Sequence, residues 1–223
     1  VINACEELKR DYPEYNFVPV YWMASEDHDF DEICHFRLNG KKLVWETDQK
    51  GAVGRFNLKG IEKIFEQVIG MPEFFVEAYR QKNLAQAVLH YVNALFGEKG
   101  LVVIDADNAE MKTLFKSVIH SDLFEHKPQE IAQQTTQALE KSGYSTQVFP
   151  REINFFYLKD DVRSRIVKTD SGFEVLDTNI LFSEEELRTE IENHPERFSP
   201  NVLLRPLYQE FLLPNLAYVG GPS

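Results

Sequence analysis

The stretch FVPVYWMASEDHDFDEI, residues 17–33, decides how the rest of the chain is read. Residues 17–24 place apolar side chains on both alternating sets of positions, which predicts a fully buried strand. Glu26, Asp27, His28, Asp29, Asp31 and Glu32 then put six ionisable groups into seven positions. A strand that runs into such a segment ends either at a solvated helix start or at the mouth of a site. Asp29 and Glu32 have capping-box spacing, so a short helical turn is expected there.

Downstream, CHFRLNGKKLVWET predicts a hairpin, with Asn39-Gly40 supplying the positive φ of a type I′ turn. QKGAVGRFN reads as a loop. One helix carries Ile61, Ile64, Phe65, Val68 and Ile69 on one face and stops at Gly70, before Pro72. A second opens with Asn83 and Gln86 and buries Leu84, Val88, Tyr91, Val92 and Leu95. A third opens with Asp107 and Glu110 and buries Met111, Leu114, Phe115, Val118 and Ile119. Between the last two lies LVVID, a second fully apolar strand. Helix–strand–helix alternation predicts an α/β layer with parallel pairing.

Residues 129–142 read as a polar helix closed by Gly143, and TQVFP, NFFYLK, SRIVKT and GFEVLD as short strands. Ser183 and Glu186 open a last, solvated helix. The termini are apolar: Ile2, Cys5 and Leu8 share a helix face, and residues 216–219, LAYV, read as a strand. We therefore expect strands 17–24 and 216–219 in one sheet. That makes residues 1–35 and 199–223 parts of a core, interrupted by an α+β insertion over 36–198. Ends of this character, without an initial Met, are expected of a fragment.

The chain has 223 residues, 43% of them hydrophobic, and a net charge of −12 from 36 acidic and 24 basic side chains. That balance argues against a nucleic-acid surface, which needs a basic stripe. No polybasic run suits a membrane surface, and no apolar run is long enough to span one. Cys5 and Cys34 match no zinc or redox spacing and read as reduced thiols, which with the missing leader implies the cytoplasm.

In open α/β sheets ligands bind beyond the carboxyl ends of the strands. This selects the cluster after residue 24, Asp105 and Asp107, and Gly220-Gly221. In the cluster, His28 can act as acid or base beside a carboxylate. The same residues could ligate a metal, or the acids could simply cap and charge-stabilise a helix start. Metal is disfavoured because no second histidine recurs at i+4. Asp107 is explained by capping. Arg205, in an apolar setting, either pairs with Glu210 or binds an anion. His90 reads as a core or edge residue, and His120, His126 and His194 as surface residues.

VPVYWMASEDHDFDEI, LFGEKGLVVIDADNAEMKTLF, NFFY and HPERFSPNVLLRPLYQEFLLPNLAYVGGP resemble, in order, the cysteine-adding enzyme family of bacillithiol biosynthesis. The resemblance implies a ligase that joins cysteine to glucosaminyl malate, the last step in making this low-molecular-weight thiol. It implies a Rossmann-like core of nucleotidyltransferase type with a long α+β connecting-peptide insertion. ATP is the implied cofactor, through an acyl adenylate, and a homodimer formed by a coiled coil is the implied assembly. The family's upstream Gly-Gln-Gln loop and downstream coiled coil are absent from these residues, so the fragment alone is expected to be inactive. His28, Asp29 and Asp27 are the expected catalytic residues, with Glu26 or Asp27 on the cysteine amino group or orienting His28. Asn201 and Arg205 are the expected carboxylate anchors, followed by Asn154, Tyr157, Gly220 and Gly221 as substrate-binding residues. The alternatives are a metal-dependent hydrolase or phosphoesterase using the His28 cluster, and a non-catalytic binding module.

Overall fold

A computed structural model describes residues 1–146 and 148–220. They divide into two compact units, residues 1–107 and 108–220. The boundaries expected at 35 and 198 fall inside these units.

The first unit contains α1 (Ile2–Asp11), β1 (Val20–Met23), α2 (Phe30–Ile33), β2 (His35–Leu38), β3 (Lys41–Val44), α3 (Glu62–Phe65), α4 (Glu73–Ala78), α5 (Leu84–Phe96) and β4 (Val102–Asp105). β1 and β4 pair in parallel, with Val20 opposite Val102 and Met23 opposite Asp105. The two strands thus end side by side, as the helix–strand alternation predicts. β1 is not fully buried, since Tyr21 is 42% exposed. Nor does it pair with residues 216–219, which form no strand and leave Leu216, Tyr218 and Val219 exposed. Apolar composition marks a segment as able to pair but carries no information about its partner.

Local signals were the stronger ones here. The β2–β3 hairpin turns through Asn39 and Gly40, both at positive φ. The Asn83 side chain accepts the Gln86 N–H and starts α5. The helix expected over residues 61–69 is regular only across α3, and Leu95 of α5 is exposed. A core of Leu43, Trp45, Val53, Phe56, Leu58, Ile61 and Ile64 draws the hairpin, the loop after it and α3 together. Phe30, the one apolar residue inside the acidic run, packs edge-on to Trp45 at 5.3 Å. It thereby ties α2 to the core.

The second unit contains α6 (Ala109–Leu114), α7 (Lys116–Glu125), α8 (Lys127–Lys141), β5 (Phe155–Lys159), β6 (Val162–Thr169), β7 (Gly172–Val175), β8 (Leu181–Phe182), α9 (Glu184–Asn193), β9 (Phe198–Pro200) and α10 (Arg205–Leu212). The five strands form one antiparallel sheet in the order β8-β7-β6-β5-β9. Phe155, Tyr157, Ile166, Phe173, Val175 and Phe198 fill one face, beside buried Leu187 and Ile191 of α9 and Ile119 and Leu123 of α7. The capping box of Ser183 and Glu186 forms in full. The single helix expected after Asp107 is broken into α6 and α7 at Phe115, whose ring is buried against Phe155, Tyr208 and Phe211. Asn108, not Asp107, caps α6 by accepting the Met111 N–H. TQVFP forms no strand among its described residues; its Gln147 lies outside them.

Candidate functional site

The acidic stretch turns sharply out of β1. The Asp27 N–H donates to the Ala24 carbonyl at 3.1 Å, and the Phe30 N–H to the His28 carbonyl at 2.9 Å. Asp29 stands at the N-cap of α2 without a side-chain capping bond. Glu26 is fully buried, whereas the side chains of Asp27, His28 and Asp29 are 29%, 45% and 58% exposed. The imidazole of His28 lies between two carboxylates, Nδ1 at 3.4 Å from Asp27 and Nε2 at 3.8 Å from Asp29. The Asp27 carboxylate also accepts the His28 backbone N–H at 2.7 Å. An imidazole so flanked can take a proton from a reacting group while a carboxylate stabilises the resulting imidazolium. Asp27, His28 and Asp29 can also each turn one ligand atom toward a common cation, these atoms lying within 4.8 Å of one another.

The end of β4 is fixed to the same turn. The Ser25 hydroxyl donates to Asp105, whose Oδ1 also accepts the Asp107 N–H at 3.0 Å. The loop read from QKGAVGRFN lies over these residues. Val53 N–H donates to the Asp27 carbonyl and Gly54 N–H to the Ser25 carbonyl, both at 2.7 Å. Arg55 then grips Asp107 with two parallel bonds of 2.6 and 2.9 Å. So Asp107, expected as a helix cap, is instead the anchor of an arginine 52 residues away.

Gly54 makes this approach possible. A Cβ there would stand 2.5 Å from Ser25 Cβ, 2.7 Å from its carbonyl oxygen and 2.9 Å from its Cα. Gly54→Ala should therefore lift the loop from the turn and lower the unfolding free energy by about 1–3 kcal/mol, the usual range for overpacking. Urea denaturation checks this; an unchanged midpoint would show that the loop is not held against Ser25. Ser25, Gly54 and Arg55 were not singled out from sequence. Only the glycines of GAVGRF hinted at them, because the close approach is tertiary.

In the second unit Asn154 and Asn201 come together. Asn154 is 1% exposed. Its Nδ2 donates to Asp122 at 2.9 Å and to the Arg151 carbonyl at 2.8 Å, while its Oδ1 accepts from Arg151 N–H and from Asn201 Nδ2. Asn201 Oδ1 in turn accepts the Leu203 and Leu204 N–H groups before α10. Both amides are engaged within the fold. Arg205 is the first residue of α10, and Glu210 accepts a bond from Asn215 at 3.0 Å.

Asp122 is fully buried and receives the Asn154 backbone N–H at 2.6 Å besides its side chain. Burial pushes its pKa up to about 6, against the lowering effect of the Asn154 bonds and the nearby His126. The buried Tyr157 hydroxyl donates to Glu190 at 2.5 Å, and Arg197 donates to the same carboxylate oxygen at 2.6 Å. Burial, then the bond to Glu190, raises the Tyr157 pKa far above the phenol range. Burial alone would raise that of Glu190, but the bonds from Tyr157 and Arg197 outweigh it and leave Glu190 below the ordinary carboxylate value. His120, His126 and His194 each sit beside a glutamate, at 3.0, 3.5 and 3.0 Å, while His90 is exposed. Gly220 is exposed coil, and Gly221 lies outside the described residues. Both cysteines are free. Among the described residues no helix is long and apolar enough to cross a membrane.

Comparison with known proteins adds to this geometry. The family described as bacillithiol biosynthesis BshC, N-terminal Rossmann-like domain, matches residues 1–223. A protein of Cytophaga hutchinsonii named "Putative cysteine ligase BshC" is 49% identical over 223 residues, covering 100% of this chain and 43% of that protein. Proteins of the same name from Flavobacterium psychrophilum and Staphylococcus haemolyticus are 46% and 30% identical, over 99% and 100% of this chain and 43% and 46% of theirs. The chain thus spans less than half the length of these relatives.

Proposed function

This chain belongs to the bacillithiol biosynthesis BshC family, and from that premise we propose that it supplies the His28 site of a cysteine ligase. The ligase joins the carboxyl group of cysteine to the amine of glucosaminyl malate, completing bacillithiol. The observation that carries this reading is His28, held between Asp27 and Asp29 where the parallel strands β1 and β4 end together. Amide formation needs an activated carboxyl group and an acceptor for the amine proton. ATP, if bound, would supply that activation, with pyrophosphate as the displaced group. For C–N bond formation at the activated carbonyl, His28 would take the proton of the amine, with Asp29 or Asp27 stabilising the imidazolium. Buried Glu26 shapes the floor of the turn, and in the second unit Arg205 is proposed separately as an anchor for a carboxylate.

In this reading β1 and β4 are part of a nucleotidyltransferase-type core with a long insertion, and the enzyme works in the cytoplasm as a homodimer. The 223 residues alone are inactive, since the relatives are more than twice as long. The test is to incubate an enzyme of full family length with cysteine and glucosaminyl malate, with and without ATP, and to follow products by mass spectrometry. Bacillithiol with release of AMP is the expected result; no bacillithiol in either condition would overturn the reading.

The convergence of Asp27, His28 and Asp29 also favours a second reading, a metal-dependent hydrolase or phosphoesterase. Stoichiometric metal retained through dialysis would support it, and full activity after chelation would remove it.

A further inference from the structure

Three segments of the first unit meet where β1 and β4 end: residues 25–27, 53–55 and 105–107. Their hydrogen bonds run in a closed circuit. The Ser25 hydroxyl donates to Asp105, and the Asp107 N–H donates to Asp105 Oδ1 at 3.0 Å and to Ser25 Oγ at 3.3 Å. The Asp107 carboxylate accepts two bonds from Arg55, at 2.6 and 2.9 Å. From Arg55 the backbone passes to Gly54, whose N–H donates to the Ser25 carbonyl and returns the circuit to its start. Val53 adds a bond from its N–H to the Asp27 carbonyl.

These bonds differ in strength. The Val53 and Gly54 bonds are neutral, and each is of modest net worth. The Arg55 bonds join two full charges in paired geometry, the strongest arrangement a guanidinium makes. The Asp107 side chain is 11% exposed, so water screens this pair less than it screens a surface ion pair. Arg55 is therefore the clasp that keeps residues 53–55 closed over the turn.

What lies under the clasp is the backbone of the His28 site. Asp27 is held through its N–H by the Ala24 carbonyl and through its carbonyl by the Val53 N–H. Its carboxylate in turn accepts the His28 N–H at 2.7 Å and stands 3.4 Å from Nδ1 of the imidazole. Proton transfer tolerates little displacement: a reacting group misplaced by about 1 Å can cost about 10²-fold in rate.

We infer that Arg55 is a positioning residue of the His28 site: its clasp on Asp107 holds residues 53–55 against the turn, which fixes Asp27 and, through Asp27, the imidazole of His28. The consequence for catalysis rests on the ligase reading; the consequence for the imidazole does not.

The first readout is the NMR spectrum of the 223-residue chain. The ring signals of His28 are expected to move in Arg55→Met and, to a similar extent, in Asp107→Asn, because both variants open one clasp. Arg80→Met, which breaks the exposed pair with Glu77, is the control and should leave them in place. Amide exchange at Val53 and Gly54 should become at least about tenfold faster in the two clasp variants while α5 stays protected. Arg55→Lys, which keeps the charge without the paired geometry, should fall between, and it replaces the methionine variant if that does not fold. In an enzyme of full family length, Arg55→Met should lower kcat by about 10–10²-fold. KM for cysteine and for glucosaminyl malate should stay within about twofold, since the clasp acts on the proton acceptor and not on substrate binding. Unchanged exchange at Val53 and Gly54, His28 signals that stay in place, or a kcat equal to that of the wild type overturns the inference. A wild-type enzyme without ligase activity would instead strike the ligase reading, and the His28 signals would still decide whether Arg55 positions that imidazole.

Discussion

Replacing His28 with alanine in an enzyme of full family length is expected to lower bacillithiol formation by about 10²–10⁴-fold, the contribution of a positioned acid or base. The melting temperature should stay within a few degrees, because the side chain is 45% exposed. Asp29→Asn should give a smaller loss, since it removes only a stabilising carboxylate 3.8 Å away. The rate of product formation under saturating cysteine, measured beside thermal unfolding, separates chemistry from stability. Turnover as fast as the wild type would remove His28 from the mechanism.

Asp122→Ala should have the largest effect on stability. It leaves the buried Asn154 backbone N–H without its acceptor, takes one of the two acceptors from Asn154 Nδ2, and opens a cavity between α7 and the start of β5. Losing such partners costs about 2–4 kcal/mol. The loss should also depend on pH. With its pKa raised to about 6, the folded state holds the Asp122 proton more tightly than the unfolded chain does. The stability this contributes is complete below the ordinary aspartate pKa and is lost as the pH rises through about 6. The wild type should therefore lose about 1–1.5 kcal/mol between pH 5 and 7.5 that the alanine variant does not lose. Urea denaturation at the two pH values measures the difference. A gap between the proteins that does not narrow with rising pH would mean that Asp122 is ionised throughout.

The features legible in the sequence are those whose cause lies within a few residues. Asn39-Gly40 specifies its hairpin by positive φ, and Asn83 and Ser183 specify helix starts by accepting an N–H three residues on. The run from Glu26 to Asp29 could be picked out as a candidate because the change from apolar to ionisable occurs at a strand end. What depends on partners distant in sequence was not legible. Asp107 has the spacing of a cap, but a bidentate arginine 52 residues away competes for it and wins. Residues 216–219 have the composition of a strand and find no pairing edge. Asn154 and Asn201 could be picked out, but not the 47-residue separation across which their amides join. Phe115 looked like one more residue of a helical stripe; its insertion among three aromatic rings is what ends α6.

The parallel pair also dictates when the first unit can finish folding. Val20 meets Val102 only after 81 intervening residues have been made and gathered. The β2–β3 hairpin, by contrast, closes over two residues. Loop-closure entropy makes such a distant contact slow to form, and a parallel edge remains open until it does. On the ribosome the His28 turn emerges early and acquires its neighbours Asp105 and Asp107 last. The first unit should therefore remain sensitive to protease around residues 20–30 in nascent chains that stop short of β4, and become resistant only once β4 has cleared the exit tunnel.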